Sequence, residues 1–190
     1  IKKIAKKNKL FVIEDASQAI GSKNKSINLG TESDLGVFSL SIAKIISSAQ
    51  GGFIVTNKSS LAKKIRLMRT HGVSNITNCK TWPMLGFNFK FTDVLASIGI
   101  EQLKYIQERI NILKKIYGIY QEELKNSQFK IIPVNMNNGE VPIYNEFLIK
   151  NRTSIIKKAL EKNIELKNFY PTISQAVYIK QNNKDLHNSK

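Results

Sequence analysis

A single cysteine, Cys79, stands among 190 residues, which excludes a disulfide framework within the chain and any cluster of thiolates around a metal. No metal site is expected, and so little cysteine fits a reducing compartment, here read as the cytoplasm. Long apolar runs are also missing. None approaches the ~20 residues that cross a bilayer, and the opening Ile1-Lys2-Lys3-Ile4-Ala5-Lys6-Lys7 is amphipathic rather than a signal peptide. Acidic residues number 14 against 30 lysines and arginines, for a formal net charge of +16. Yet arginine is confined to Arg66, Arg69, Arg109 and Arg152, and lysines spread along the whole chain describe a solvated surface better than a nucleic-acid interface. A phosphate-rich substrate fits the remaining charge as well as nucleic acid does.

What is present is the periodicity of a folded α/β chain, with 42% apolar residues and no repeat or low-complexity tract. Residues 1–8 read as the end of a helix, so the sequence reads as an internal piece of a longer protein. Residues 10–13 read as a strand buried on both faces, because the apolar run does not alternate. Residues 35–40 and 52–56 read as further strands, with a polar, turn-rich stretch over 21–30 before them. Asn57 or Ser59 caps a helix to Arg69, with Leu61, Ile65 and Met68 as its stripe and Gly72 as its stop. Residues 73–91 read as irregular, with the aromatics Phe87, Phe89 and Phe91.

Thr92 then caps the longest periodic pattern, to about residue 124, read as one helix kinked near Gly99 or Gly118. Beyond it, residues 129–134 and 143–149 read as strands, 153–163 as a helix and 164–169 as a strand closed by Tyr170-Pro171. The fold class expected is therefore α/β: a large domain over 1–126, followed by a smaller α+β domain over 127–190.

Two segments carry chemistry. In Phe11-Val12-Ile13-Glu14-Asp15-Ala16-Ser17-Gln18-Ala19, Asp15 falls at the carboxyl end of a strand, the edge where ligands gather in open α/β sheets. A carboxylate there can keep a pyridine nitrogen protonated; it can equally be a turn or capping aspartate. In Phe38-Ser39-Leu40-Ser41-Ile42-Ala43-Lys44-Ile45-Ile46-Ser47-Ser48-Ala49-Gln50-Gly51-Gly52, a lysine precedes a glycine pair suited to a tight reversal and close approach. Ile42, Ile45 and Ile46 around Lys44 favour the neutral amine, the nucleophilic form. Taken alone, Lys44 reads equally as an exposed loop lysine, and Ser39 and Ser41 as turn residues that could also bind a phosphate oxygen.

Joined, these segments resemble the DegT/DnrJ/StrS family of sugar aminotransferases over nearly the entire chain. The family's Glu-Asp-Ala-x-Gln-Ala motif is matched by Glu14-Asp15-Ala16-Ser17-Gln18-Ala19, and its Gly-Asp-x-x-x-Phe-Ser strand by Ser33-Asp34-Leu35-Gly36-Val37-Phe38-Ser39. Its Gly-Tyr-Asn-Tyr-Arg-Met-Thr segment is similar to Gly86-Phe87-Asn88-Phe89-Lys90-Phe91-Thr92. Its Ala-Ala-Ile-Gly-Leu-Ala-Gln-Leu helix is similar to Ala96-Ser97-Ile98-Gly99-Ile100-Glu101-Gln102-Leu103, and Phe169-Tyr170-Pro171 also has a counterpart.

The resemblance implies a three-layer large domain of the pyridoxal-phosphate transferase type, a mixed sheet flanked by helices, present here in part. It implies pyridoxal 5'-phosphate as cofactor, with Lys44 binding it covalently and then shuttling the proton. Asp15 would pair with the pyridinium nitrogen, Gln18 lie against the ring or its phenolic oxygen, and Ser39 contact the phosphate. Asn88 would reach the phosphate of the partner subunit, so the implied assembly is a homodimer with shared sites. The implied reaction is amino transfer, typically from glutamate, to a keto group of a nucleotide-linked deoxysugar in polysaccharide or deoxysugar biosynthesis. The alternative is a non-catalytic or truncated relative with a regulatory role or none.

Departures are Ile45 where many members have asparagine, Gln50 where they have glutamate, and Ser41 where histidine is frequent. Lys44 itself separates the chain from related sugar dehydratases, which carry histidine at that position. The resemblance also implies an N-terminal stretch with more of the cofactor cradle, and a further small-domain segment, both outside this sequence.

Overall fold

The computed structural model describes residues 1–171, 173 and 176–178, so the last part of the smaller domain expected over 127–190 lies outside the described residues. The chain forms two compact units, Ile1–Leu148 and Ile149–Lys190. The first opens with α1 (Lys2–Lys7), then β1 (Ile13–Asp15) and a small hairpin of β2 (Lys23–Asn24) and β3 (Ile27–Asn28). That hairpin occupies the stretch read only as turn-rich. Its two strands span two residues each, too short for alternation to register in sequence.

β4 (Leu35–Ser39) and β5 (Gly52–Val55) follow, and the main sheet has the order β1-β4-β5. β1 runs parallel to β4, with Asp15 opposite Val37, while β5 returns antiparallel, with Gly52 opposite Ser39. The sheet is therefore mixed, and the fold class is α/β as expected. Because β1 and β4 are parallel, their carboxyl ends lie on one edge. Phe38 and Leu40 point from β4 and its end into a core shared with Ala16, Ile20, Ile45, Ile46, Ile110 and Val141.

The expected burial of residues 10–13 is not observed. Leu10, Phe11 and Ile13 are exposed, Phe11 to 74%. Among the described residues β1 is hydrogen-bonded to β4 alone and lies at the sheet edge, so an apolar run marks a surface they leave uncovered.

α2 (Ser59–Arg69) matches the expected helix, but neither Asn57 nor Ser59 caps it: Lys58 is the cap residue and makes no side-chain capping bond. Lys58 is instead committed to an ion pair with Asp34. Gly72 does end the turn, its amide donating to the Leu67 carbonyl at 2.8 Å.

The long helix is two. α3 (Asp93–Leu103) starts at Thr92, whose hydroxyl accepts from the Leu95 amide at 3.4 Å, and α4 (Ile106–Glu123) follows. The break falls at Lys104 and Tyr105, where amides bond back three residues to Glu101 and Gln102, not at Gly99 or Gly118. The tightened turn re-aims α4 so that Ile106, Ile110 and Leu113 pack on the core. Neither glycine is needed for that, since helix geometry continues through both.

β6 (Lys130–Ile131) and β7 (Phe147–Leu148) form an antiparallel pair, joined through a short 3-10 turn at Met136–Asn138. Tyr117 on α4 anchors this pair. Its side chain is 1% exposed, and its hydroxyl donates to the Ile132 carbonyl at 3.0 Å and accepts from the Val134 amide at 2.9 Å. Tyr117→Phe strands both backbone groups and is expected to cost about 1–3 kcal/mol. That is a melting temperature lower by roughly 3–8 °C, measurable by circular dichroism.

In the second unit, α5 (Arg152–Leu160) matches the expected helix. The strand expected at 164–169 does not form, because no described segment pairs with it and Phe169 is 73% exposed. β-rich composition without a neighbouring ladder leaves extended chain.

Candidate active site

The carboxyl edge of β1 and β4 gathers most of the expected residues. Asp15 ends β1, Ser39 ends β4, and Lys44 lies in the connection from β4 back to β5. That connection is possible because of the glycine pair. Gly51 has φ +102°, and a β-carbon on Gly52 would run into the Phe38 carbonyl oxygen, so close strand return needs both to lack side chains.

The connection is internally tied. Lys44 donates its amide to Ser41 at 3.0 Å, the Ser48 amide reaches Leu40 at 2.9 Å, and the fully buried Ser48 hydroxyl donates to the Gln50 carbonyl at 2.7 Å. Ile45 and Ile46 drop into the core, whereas Ile42 is 80% exposed. Two of the three apolar flanks expected around Lys44 are thus beneath it, and the third faces water.

Lys44 is half-buried and lines a crevice with Ser17, Gln18, Ile20, Ile45 and Ile143. Across it, the Ser17 hydroxyl and amide both donate to Asp15 Oδ1, at 2.5 and 3.1 Å. These bonds hold the Asp15 carboxyl below the usual aspartate range, and the Lys44 charge adds a smaller pull. Asp15 is therefore an ionised carboxylate within electrostatic reach of an amine. Gln18 is exposed and donates from Nε2 to the Tyr144 hydroxyl at 3.4 Å. The Ser39 and Ser41 hydroxyls stand 3.2 Å apart, and the Ser41 amide donates to Ser39 Oγ at 3.3 Å.

Asn88 stands apart. It bridges to Thr70 in a segment bound to the end of α2, through bonds such as Phe89 N to the Arg69 carbonyl at 3.0 Å. Its side chain is exposed, and among the described residues no hydrogen bond ties it to the other four.

Sequence reasoning missed four residues at or behind this edge. Glu14, on the opposite strand face from Asp15, accepts from the Gly30 amide at 2.8 Å and the Glu32 amide at 2.9 Å. Burial raises its pKa, but these amides and the Ser33 hydroxyl and amide outweigh that and hold it below the usual glutamate range. The strand alternation around Asp15 was the available signal for an inward Glu14. Tyr144 and Ile143 reach the crevice from far along the chain, and no local pattern marks them. Asp34 supports the same sheet from behind. Lys58 first, then the Val12 amide at 2.8 Å, hold its carboxyl down as well.

A carboxyl whose pKa is depressed by folding adds stability that is complete above its unfolded value and lost as pH falls through its folded one. Glu14, Asp15 and Asp34 all shift this way. Stability should therefore be flat above about pH 5 and decline below about pH 4. Urea unfolding across that range should show Glu14→Gln with a shallower acid decline; an unchanged slope would assign the acid sensitivity elsewhere.

Chemically, an amine, an ionised carboxylate and a pair of hydroxyls around one sheet edge match the functional groups of a phosphorylated pyridine aldehyde. The carboxylate suits a protonated ring nitrogen, the amine suits the aldehyde carbon, and the hydroxyls suit phosphate oxygens.

Comparison with known proteins places these features in a family. The chain is 36% identical over 125 residues to the GDP-perosamine synthase of Caulobacter vibrioides, covering 65% of this chain and 33% of that protein. It is 35% identical over 139 residues to the UDP-4-amino-4,6-dideoxy-N-acetyl-beta-L-altrosamine transaminase of Campylobacter jejuni, covering 70% and 36%. A DegT DnrJ EryC1 StrS aminotransferase from Brucella abortus shares its fold, with a TM-score of 0.83 at 24% identity over 90% of this chain and 45% of that one. The chain thus spans less than half the length of these relatives. The model of the DegT/DnrJ/EryC1/StrS aminotransferase family matches residues 1–190, and the chain belongs to that family.

Proposed function

We propose that the protein carrying this chain is a pyridoxal 5'-phosphate-dependent aminotransferase that moves an amino group, from glutamate, to a keto group of a nucleotide-linked deoxysugar. The observation that carries this reading is Lys44 sharing a crevice with Ser17 and Gln18, where Ser17 holds the Asp15 carboxylate and the Lys44 charge is felt at it. The related proteins from Caulobacter vibrioides and Campylobacter jejuni, named for GDP- and UDP-linked sugars, support a nucleotide-sugar acceptor without favouring either nucleotide. The cofactor, once bound, supplies an electron sink that makes a carbon–hydrogen bond beside nitrogen acidic.

Each residue has a role in that reading. Lys44 would hold the cofactor through its amine, and its Nζ is the group that would take up and return a proton. Asp15, whose carboxyl Ser17 holds below the usual aspartate range, would accept a hydrogen bond from the ring nitrogen. Ser39 would donate to the phosphate, with the Ser41 hydroxyl beside it and the Ser41 amide holding Ser39 Oγ in place. Gln18 closes one side of the ring and is oriented by Tyr144.

Asn88 acts in a second copy, reaching the phosphate of the partner subunit. Its exposure, and that of the apolar Phe89, Val94, Ile100 and Leu103 nearby in sequence, support a homodimer with shared sites. We retain a division into a cofactor-binding domain over 1–126 and a smaller domain over 127–190. The lone Cys79 agrees with a cytoplasmic setting. A non-catalytic relative would have no use for an amine beside an acidified carboxylate, so the catalytic reading is preferred.

The test is a coupled assay on the full-length protein with pyridoxal phosphate, glutamate and a panel of 4-keto and 3-keto nucleotide sugars. Formation of 2-oxoglutarate with one acceptor is the expected result. No turnover with any acceptor, and no exchange between glutamate and labelled 2-oxoglutarate, would refute it.

A further inference from the structure

The connection that carries Lys44 makes nearly all its hydrogen bonds to itself. Among the described residues, a single hydrogen bond reaches residues 41–50 from outside the β4–β5 segment: Arg109 Nη1 donates to the Ile45 carbonyl at 2.9 Å. Arg109 sits on α4, half-buried, between Ile106 and Ile110, which pack on the core. The Ile45 carbonyl is one peptide beyond Lys44, so holding it restrains the backbone from which the Lys44 side chain leaves. A guanidinium suits the task, since it keeps its charge at any working pH and its planar donors leave little freedom. A charge-assisted bond to a partly buried carbonyl is also among the stronger kinds.

We infer that Arg109 is a positioning residue for Lys44, tying the lysine loop to α4 so that the amine stays aimed at the crevice beside Asp15. The inference rests on the reading of Lys44 as the cofactor-binding lysine. α4 is also the helix whose Tyr117 anchors β6 and the segment after it. One rigid helix therefore sets both the lysine loop and the β6–β7 unit that supplies Ile143 and Tyr144. Arginine is rare in this chain, and this one lies beside the apolar stripe of its helix, where a cation needs a partner.

Arg109→Met keeps the apolar stem and removes the donors, and Arg109→Lys retains a cation with one reachable donor. Hydrogen exchange read by mass spectrometry on the full-length protein should show peptides within 41–50 exchanging about tenfold faster in R109M. Peptides of α4 should be unchanged, and R109K should fall between. Borohydride trapping of pyridoxal phosphate on Lys44 should need about tenfold more cofactor for half-labelling in R109M. Unchanged exchange over 41–50, or exchange raised equally along α4, would overturn the inference. If R109M does not fold, R109K decides alone: faster exchange confined to 41–50 supports the tie, and wild-type exchange removes it. If wild-type Lys44 takes no label while R109M still loosens 41–50, the cofactor reading has failed, and with it the role of Arg109 toward the amine.

Discussion

Alanine at position 36 is expected to cost the first unit much of its stability. Gly36 sits at the middle of the sheet, paired with Glu14 on β1 and Val55 on β5. A β-carbon there would overlap the Gly30 carbonyl group. Gly30 cannot easily yield, because its amide is bound by the Glu14 carboxylate at 2.8 Å and its α-carbon is packed under Phe38 and Ala16. Forcing the segment outward combines overpacking with loss of a charged hydrogen bond, roughly 3–5 kcal/mol together. That corresponds to a melting temperature lower by on the order of 10 °C. Gly118→Ala is the control. It lies in α4 with nothing within 4 Å of the added carbon, so gains of about 0.5–1 kcal/mol are expected from helix propensity. If G36A melts within about 2 °C of wild type, the Gly30 segment is softer than its bonds imply.

Lys44→Ala and Lys44→Arg should each abolish amino transfer, by a factor on the order of 10³ or more. Arginine keeps the charge but cannot give up its proton to act as a nucleophile or base. The fold should be indifferent to both, because the Lys44 side chain is half-exposed and makes no side-chain hydrogen bond among the described residues. Steady-state turnover and thermal melting of the same preparations separate the two effects. Activity within tenfold of wild type would remove Lys44 from the chemistry.

Much of this site could be read along the chain because its information is local. A strand ending in Asp15, a strand ending in Ser39 and a glycine pair are short-range patterns, and the geometry that joins them follows from parallel pairing of β1 with β4. Thr92 was legible as a cap for the same reason. What escaped is long-range. Arg109 meets Ile45 across 64 positions, Gln18 meets Tyr144 across 126, and the Lys58–Asp34 ion pair that displaces the expected cap spans 24. The helix break at Lys104 and Tyr105 was invisible because no glycine or proline marks it. The demand for α4 to face the core sets it. Exposure along residues 10–13 and the unpaired run at 164–169 were misread because apolar, β-branched sequence records a propensity to be covered, not what covers it.

The proposed chemistry depends first on Lys44 being the lysine that binds the cofactor. Full-length protein incubated with pyridoxal phosphate, reduced with borohydride, digested and mapped by mass spectrometry tests it most directly. One dominant phosphopyridoxyl-modified peptide is expected, with the modification on Lys44 and lost in K44R. Modification concentrated on any other lysine, or scattered evenly over the chain's many other lysines, would overturn it.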